Sequence, residues 1–263
     1  MKKSARLSCC MVITLLSVIF ACLACAKEKN MNMPPTSSTD IMVVKDTVRS
    51  ADTISAADTS KPSVDGAKFL ALGDSYTIGQ SVDASERFPA QTVQLLAAQD
   101  IKVESLHYIA TTGWTTFNLM SAISSKNTAA DYDIVTLLIG VNDQYRGIDI
   151  GEYGAKFEEL LDKAVQVARG GPNHVFVLSI PDYGYTPYGR GNKQQITKEI
   201  DAYNAINKEI TRRKSITYID ITPSTRQAES DPSLVAYDGL HPSGKEYAKW
   251  AKMLAPLIKD VLK

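Results

Sequence analysis

A serine, an aspartate and a histidine carry the chemistry that this sequence suggests. A hydroxyl attacks an acyl carbon when a neighbouring base takes its proton, and an imidazole base needs a partner to fix its tautomer. The chain holds only three histidines. His107 falls within an apolar run and His174 at the start of another, whereas His241 lies in the turn-like segment Asp238-Gly239-Leu240-His241-Pro242. Asp238 is one turn away from it in sequence, and Pro242 biases His241 toward an extended backbone. Ser75 closes Gly73-Asp74-Ser75, directly after an apolar run at 68–72. Its own N–H, the N–H of Gly113 and the side-chain amide of Asn142 are three donors suited to a tetrahedral oxyanion. This set predicts acyl transfer, with Ser75 as nucleophile, His241 as base and Asp238 as its orienting carboxylate. Read singly, each group is an ordinary turn or cap. Their joint occurrence is what points to chemistry.

Elements must bring these segments to one place. Short apolar runs bounded by turn residues predict strands at 68–72, 103–110, 133–139, 175–180 and 216–221. Apolar residues recurring at three and four predict helices over 88–98, 115–124, 152–169 and 196–212. Ser243 with Glu246 forms a capping-box pattern opening a final helix that carries Tyr247, Trp250, Ala251 and Leu254. Pro256 is expected to kink or interrupt that helix. Alternating strands and helices predict an α/β fold, with a parallel sheet of five strands in the flavodoxin-like order 2-1-3-4-5. On such a sheet, Gly73-Asp74-Ser75, Gly113, Gly140-Val141-Asn142-Asp143 and Pro181-Asp182 all lie on the edge beyond the carboxyl ends of the strands. Aromatic residues follow these breaks. Trp114, Tyr145, Tyr183, Tyr185 and Tyr188 are candidates to contact a substrate.

The 263 residues carry 29 basic and 29 acidic side chains, so no basic stripe offers a footprint for nucleic acid. Residues 1–25 have the layout of a signal peptide, with Lys2, Lys3 and Arg6 ahead of an apolar run. All four cysteines fall in this segment. Cys22 and Cys25 follow small residues in a manner that resembles the lipobox of bacterial lipoproteins, with Cys25 preferred as the acylated residue. Residues 26–66 are rich in Ser, Thr, Asp and Pro and read as a flexible tether. Residues 67–263 are the folded domain. The expectation is an exported envelope lipoprotein, held to a membrane by a lipid anchor and read as a monomer.

Gly73-Asp74-Ser75-Tyr76, Gly113, Gly140-Val141-Asn142-Asp143 and Asp238-Gly239-Leu240-His241-Pro242 resemble, in order and spacing, the four signature blocks of the SGNH hydrolases, or GDSL esterases and lipases. The resemblance covers essentially all of the domain. It implies a three-layer α/β/α sandwich and a carboxylic ester hydrolase that needs no metal or organic cofactor. It also implies a Ser75, Asp238, His241 triad with Ser75, Gly113 and Asn142 as the oxyanion hole. The implied substrates are short acyl or acetyl esters, of an O-acetylated carbohydrate or a lysophospholipid-like alcohol. A flavin module using residues 74–79 as a phosphate loop leaves Asp238 and His241 without a task. A non-catalytic lipoprotein binding envelope glycan is the other alternative.

Overall fold

The computed structural model describes residues 66–126 and 128–263. The expected signal segment, both lipidation candidates and all of the tether but its last residue lie outside the described residues. Strands β1 (Ala67–Gly73), β2 (Val103–Ala110), β3 (Ile134–Leu138), β4 (Val175–Leu178) and β5 (Thr217–Ile219) form one parallel sheet ordered β2-β1-β3-β4-β5. The expected order is the observed one. Every residue of β3 and β4 is buried. Covered on both faces, these strands have no polar side to alternate with, which is why they read as unbroken apolar runs.

The helices are α1 (Ser75–Ile78), α2 (Phe88–Ala97), α3 (Thr116–Ser125), α4 (Val141–Tyr145), α5 (Ile150–Val167), α6 (Lys193–Arg213), α7 (Thr222–Thr225) and α8 (Gly244–Leu262). Helix α2 packs on α8, while α5 packs on both α3 and α6. Right-handed crossovers place these two groups on opposite faces of the sheet. Phe88 of α2 meets Trp250 of α8 at 5.9 Å between ring centroids, and Tyr247 meets Trp250 edge-on at 4.9 Å. On the other face, Tyr153 of α5 stacks against Tyr203 of α6 at 4.4 Å.

Four local expectations are corrected. Residues 140–143, read as a break after the third strand, run directly into α4 over 141–145. Strand β4 ends at Leu178, short of the expected residue 180: the Ser179 N–H still donates to the Ile219 carbonyl at 2.9 Å, and at Ile180 a side chain takes over from the ladder. Asn204 accepts from the Ile180 N–H at 2.7 Å and donates to its carbonyl at 3.0 Å. The capping box of α8 is half made. Ser243 Oγ accepts from the Glu246 N–H at 3.4 Å, but the Glu246 carboxylate turns inward to accept from Trp250 Nε1 at 2.8 Å. The Ser243 N–H that a capping box would bind donates instead to the Leu234 carbonyl at 2.9 Å, which leaves the carboxylate to the fully buried indole N–H. Finally, α8 runs through Pro256 to Leu262. Pro256 and Lys252, four residues before it, are both exposed, so water can bond the carbonyl that proline leaves free.

The start of α1 explains Gly73. A Cβ there would lie 2.1 Å from Thr77 Oγ1 and 2.4 Å from the Leu138 carbonyl oxygen. Only glycine lets β1 end against β3 while the chain turns at once into α1. That turn fixes the position of Ser75.

Candidate active site

Ser75 is the first residue of α1, so its N–H has no acceptor within the helix. Asp74 is the helix cap, its Oδ1 accepting from the Tyr76 N–H at 3.0 Å. The capping role available to Gly-Asp-Ser thus falls to Asp74, and the Ser75 hydroxyl is left for another partner. That partner is His241. Its Nε2 lies 3.0 Å from Ser75 Oγ, and its Nδ1 lies 2.6 Å from Asp238 Oδ2. Asp238 Oδ1 also accepts from the backbone N–H groups of Leu240 at 2.9 Å and His241 at 3.0 Å. One tight turn therefore holds carboxylate and imidazole in register. Partial burial pushes the Asp238 carboxyl up, but hydrogen bonds from Ser81, Leu240 and His241 outweigh it and hold it at about 2. Ionised, Asp238 is only an acceptor, which keeps a proton on Nδ1 and leaves the Nε2 lone pair facing Ser75. The other two histidines lie elsewhere. His107 Nδ1 is 3.1 Å from the Tyr132 hydroxyl, and His174 Nδ1 is 2.7 Å from the Asp133 carbonyl oxygen.

The segment around α4 braces the loop that carries Gly113. Asn142 Nδ2 donates to the Trp114 carbonyl at 3.0 Å, and Arg146 Nη2 donates to the Gly113 carbonyl at 2.8 Å. Asp143 accepts from the Thr116 N–H at 3.0 Å and from its hydroxyl at 2.6 Å, which caps α3 from outside. Gly113 has φ +81°, a left-handed backbone that favours glycine, and the space beside it is open. The Asn142 amide keeps a second N–H beyond the one given to Trp114.

A cleft opens over Ser75 and His241. Gly113, Asn142, Tyr145 and Tyr183 line it as expected, and so does Tyr188. Two other candidates do not. Trp114 packs against the core and contributes only its carbonyl to Asn142. Tyr185 lies under Lys193, whose Nζ is 4.1 Å from the ring centroid.

Several residues here were not singled out from the sequence. Tyr76 is buried with its ring 5.5 Å from that of His241, and Val141 and Leu240 supply apolar wall. Ser81 donates to Asp238 Oδ2 at 2.6 Å from a left-handed backbone, φ 67°. A serine in that conformation is a local sign of strain beside the triad, and nothing in the sequence around it signals it. Asp74 is fully buried. Burial pushes its carboxyl up to about 8, the Tyr76 N–H pulls it down, and the nearby Asp143 carboxylate adds to the rise.

Comparison with known proteins places the chain among hydrolases. The family model described as GDSL-like Lipase/Acylhydrolase family matches residues 71–249. The secreted effector protein SseJ of Salmonella typhimurium is 28% identical over 124 residues, 44% of this chain and 30% of that protein, so the match spans about a third of the relative. Among solved structures, Axe2, an acetylxylan esterase from Geobacillus stearothermophilus, is 22% identical with a TM-score of 0.58, covering 73% of this chain and 94% of that one. A lipase/acylhydrolase from Enterococcus faecalis is also 22% identical with a TM-score of 0.58, covering 75% of this chain and 97% of that one. At such identities the two structures bear on the fold alone.

Proposed function

The chain belongs to the GDSL-like lipase/acylhydrolase family, and from that premise we propose that it hydrolyses short acyl esters through an acyl-serine intermediate. The single observation that carries this reading is the connected path from Ser75 Oγ to His241 Nε2 at 3.0 Å and from Nδ1 to Asp238 Oδ2 at 2.6 Å. In the proposed first half-reaction, Ser75 Oγ bonds to the ester carbon as its proton passes to Nε2. The carbonyl π electrons move to oxygen, and the N–H groups of Ser75, Gly113 and Asn142 receive that oxyanion. Collapse breaks the bond to the alcohol oxygen, which takes the proton from Nε2. Water then repeats the sequence, with His241 as base, to release the acid and restore the serine. Asp238 keeps its charge throughout and stabilises the imidazolium.

The wall of Tyr76, Val141 and Leu240 beside the serine suits a small apolar acyl group. The acetylxylan esterase of similar fold favours acetyl within that range. Ser75→Ala is expected to lower turnover of nitrophenyl acetate by roughly 10⁴-fold or more, with thermal unfolding unchanged. Substantial turnover in that variant would remove the mechanism.

The N-terminal sequence extends the proposal to an exported protein tethered by a lipid on Cys25. Cys25→Ser, and not Cys22→Ser, is expected to abolish labelling by a radioactive fatty acid in a bacterial host. Labelling retained in Cys25→Ser and lost in Cys22→Ser would move the anchor.

A further inference from the structure

The cleft over Ser75 does not end at its tyrosines. A second, larger and open cavity shares Tyr145, Tyr183 and Tyr188 with it and extends over the first turns of α6. The two spaces have different chemistry. The first has Val141 and Leu240 in its wall. The second is walled by Gln144, Asn192, Gln195 and Glu199, with Ile196 as its one aliphatic side chain. Glu199 is held by both glutamines. Gln144 Nε2 donates to its Oε2 at 2.6 Å, and Gln195 Nε2 donates to its Oε1. At the junction, the Tyr145 and Tyr188 hydroxyls are 3.1 Å apart, while the two residues remain 61% and 55% exposed. Rings of that exposure beside a polar wall offer an apolar face and a hydrogen-bonding tip together.

We propose that this second cavity binds the alcohol half of the ester, and that the alcohol is an uncharged oligosaccharide. The assignment of the two halves rests on the serine-esterase reading above. An acyl chain placed there would strip water from amides and a carboxylate and give nothing back. A phosphorylated headgroup would meet the Glu199 carboxylate with no Lys or Arg in the cavity wall to compensate it. A sugar chain fits both features. Its hydroxyls donate to Glu199 and exchange hydrogen bonds with the amides, and its C–H faces lie on the exposed tyrosines. The acyl group then points the other way, toward Val141 and Leu240.

The test uses the purified full chain and acetylated xylo-oligosaccharides of increasing length, beside nitrophenyl acetate, nitrophenyl dodecanoate and a lysophospholipid. Gly191 lines the second cavity, has no atom within 4 Å of a would-be Cβ and lacks a positive φ, so Gly191→Phe sets a bulky ring at the cavity wall without clash or backbone strain. Expected is a rise in kcat/KM of at least about tenfold from acetylated monosaccharide to longer oligosaccharide, lost in Gly191→Phe. Unacetylated xylohexaose is also expected to bind Ser75→Ala in calorimetry, and to bind the Ser75→Ala/Gly191→Phe variant about tenfold more weakly. No dependence on sugar length, a gain that survives Gly191→Phe, or preference for dodecanoate or the lysophospholipid would overturn the proposal. Calorimetry separates it from the catalytic reading. Xylohexaose bound with no turnover of any ester would defeat the esterase and leave a glycan-binding module. Nitrophenyl acetate turned over with no xylohexaose bound would defeat the carbohydrate site alone.

Discussion

Asp74 and Ser75 are adjacent in sequence and opposite in exposure to chemistry. Ser75 gives its hydroxyl to His241, whereas Asp74 points into the fold with Oδ2 buried and unpaired among the described residues. The raised Asp74 carboxyl has a consequence for stability. In the folded chain the proton is held until about pH 8, while in the unfolded chain it leaves near 3.8. Between those values the unfolded state sheds a proton that the native state keeps, so this group makes the fold less stable as pH rises. Asp74→Asn keeps the acceptor for the Tyr76 N–H and removes the ionisation. The variant is expected to gain on the order of a few kcal/mol over the parent at pH 8 and almost nothing at pH 4. Urea unfolding at the two pH values measures it. An equal change at both would show that Asp74 does not titrate in this range. Asp238 is the reverse case, since its carboxyl is lowered to about 2. Its contribution is present above the ordinary carboxylate range and is lost as pH falls through about 2.

At the scale of elements, the α4 segment works as a brace. Asn142, Asp143 and Arg146 each reach across to successive parts of residues 113–116. These contacts fix the direction of the Gly113 N–H without touching a substrate through Arg146 itself. Arg146→Ala is therefore expected to lower kcat on nitrophenyl acetate by about tenfold, less than loss of a direct oxyanion donor, with KM little changed. Arg146→Lys is expected to recover part of it. A change confined to KM, or none, would leave Arg146 a surface residue. The brace also shows where sequence reading stops. Buried strands are legible because covering both faces forces continuous apolar runs. Ser75 and Asn142 are legible because they sit just past the ends of such runs, and His241 because it alone of the three histidines falls in a turn-like segment. Contacts between segments have no local signature. Residues 140–143 read as a break because α4 is too short for an apolar period to register. Trp114 and Tyr185 read as substrate aromatics, yet one is half-buried against the core and the other lies under Lys193. Glu246 read as a capping residue because its spacing from Ser243 is right, but spacing carries nothing about the buried indole that claims its carboxylate.

For the molecule as a whole, the sheet order decides which part of the chain must be intact. Strand β1 lies inside the sheet between β2 and β3, and α8 packs on α2, so the last segment of sequence lies beside an early helix of the domain. The family match stops at 249, while α8 continues to Leu262. Beyond 249, Trp250, Leu254 and Ile258 are all fully buried, and Trp250 packs against Phe88 and Tyr247. Deleting three such side chains costs roughly 7–15 kcal/mol by analogy with large-to-small core substitutions. That equals the roughly 5–15 kcal/mol that holds an ordinary domain folded. A chain ending at Lys249 is accordingly expected not to fold, although it keeps Ser75, Asp238 and His241. A chain starting at Gly66 keeps every buried residue named above and is expected to unfold cooperatively at the temperature of the parent. Thermal melts of the two truncations by circular dichroism decide the matter. A cooperative melt from the chain ending at 249 would mean that α8 past the matched segment is a cover rather than part of the core. The serine-to-histidine contact would then depend only on the sheet and its edge loops.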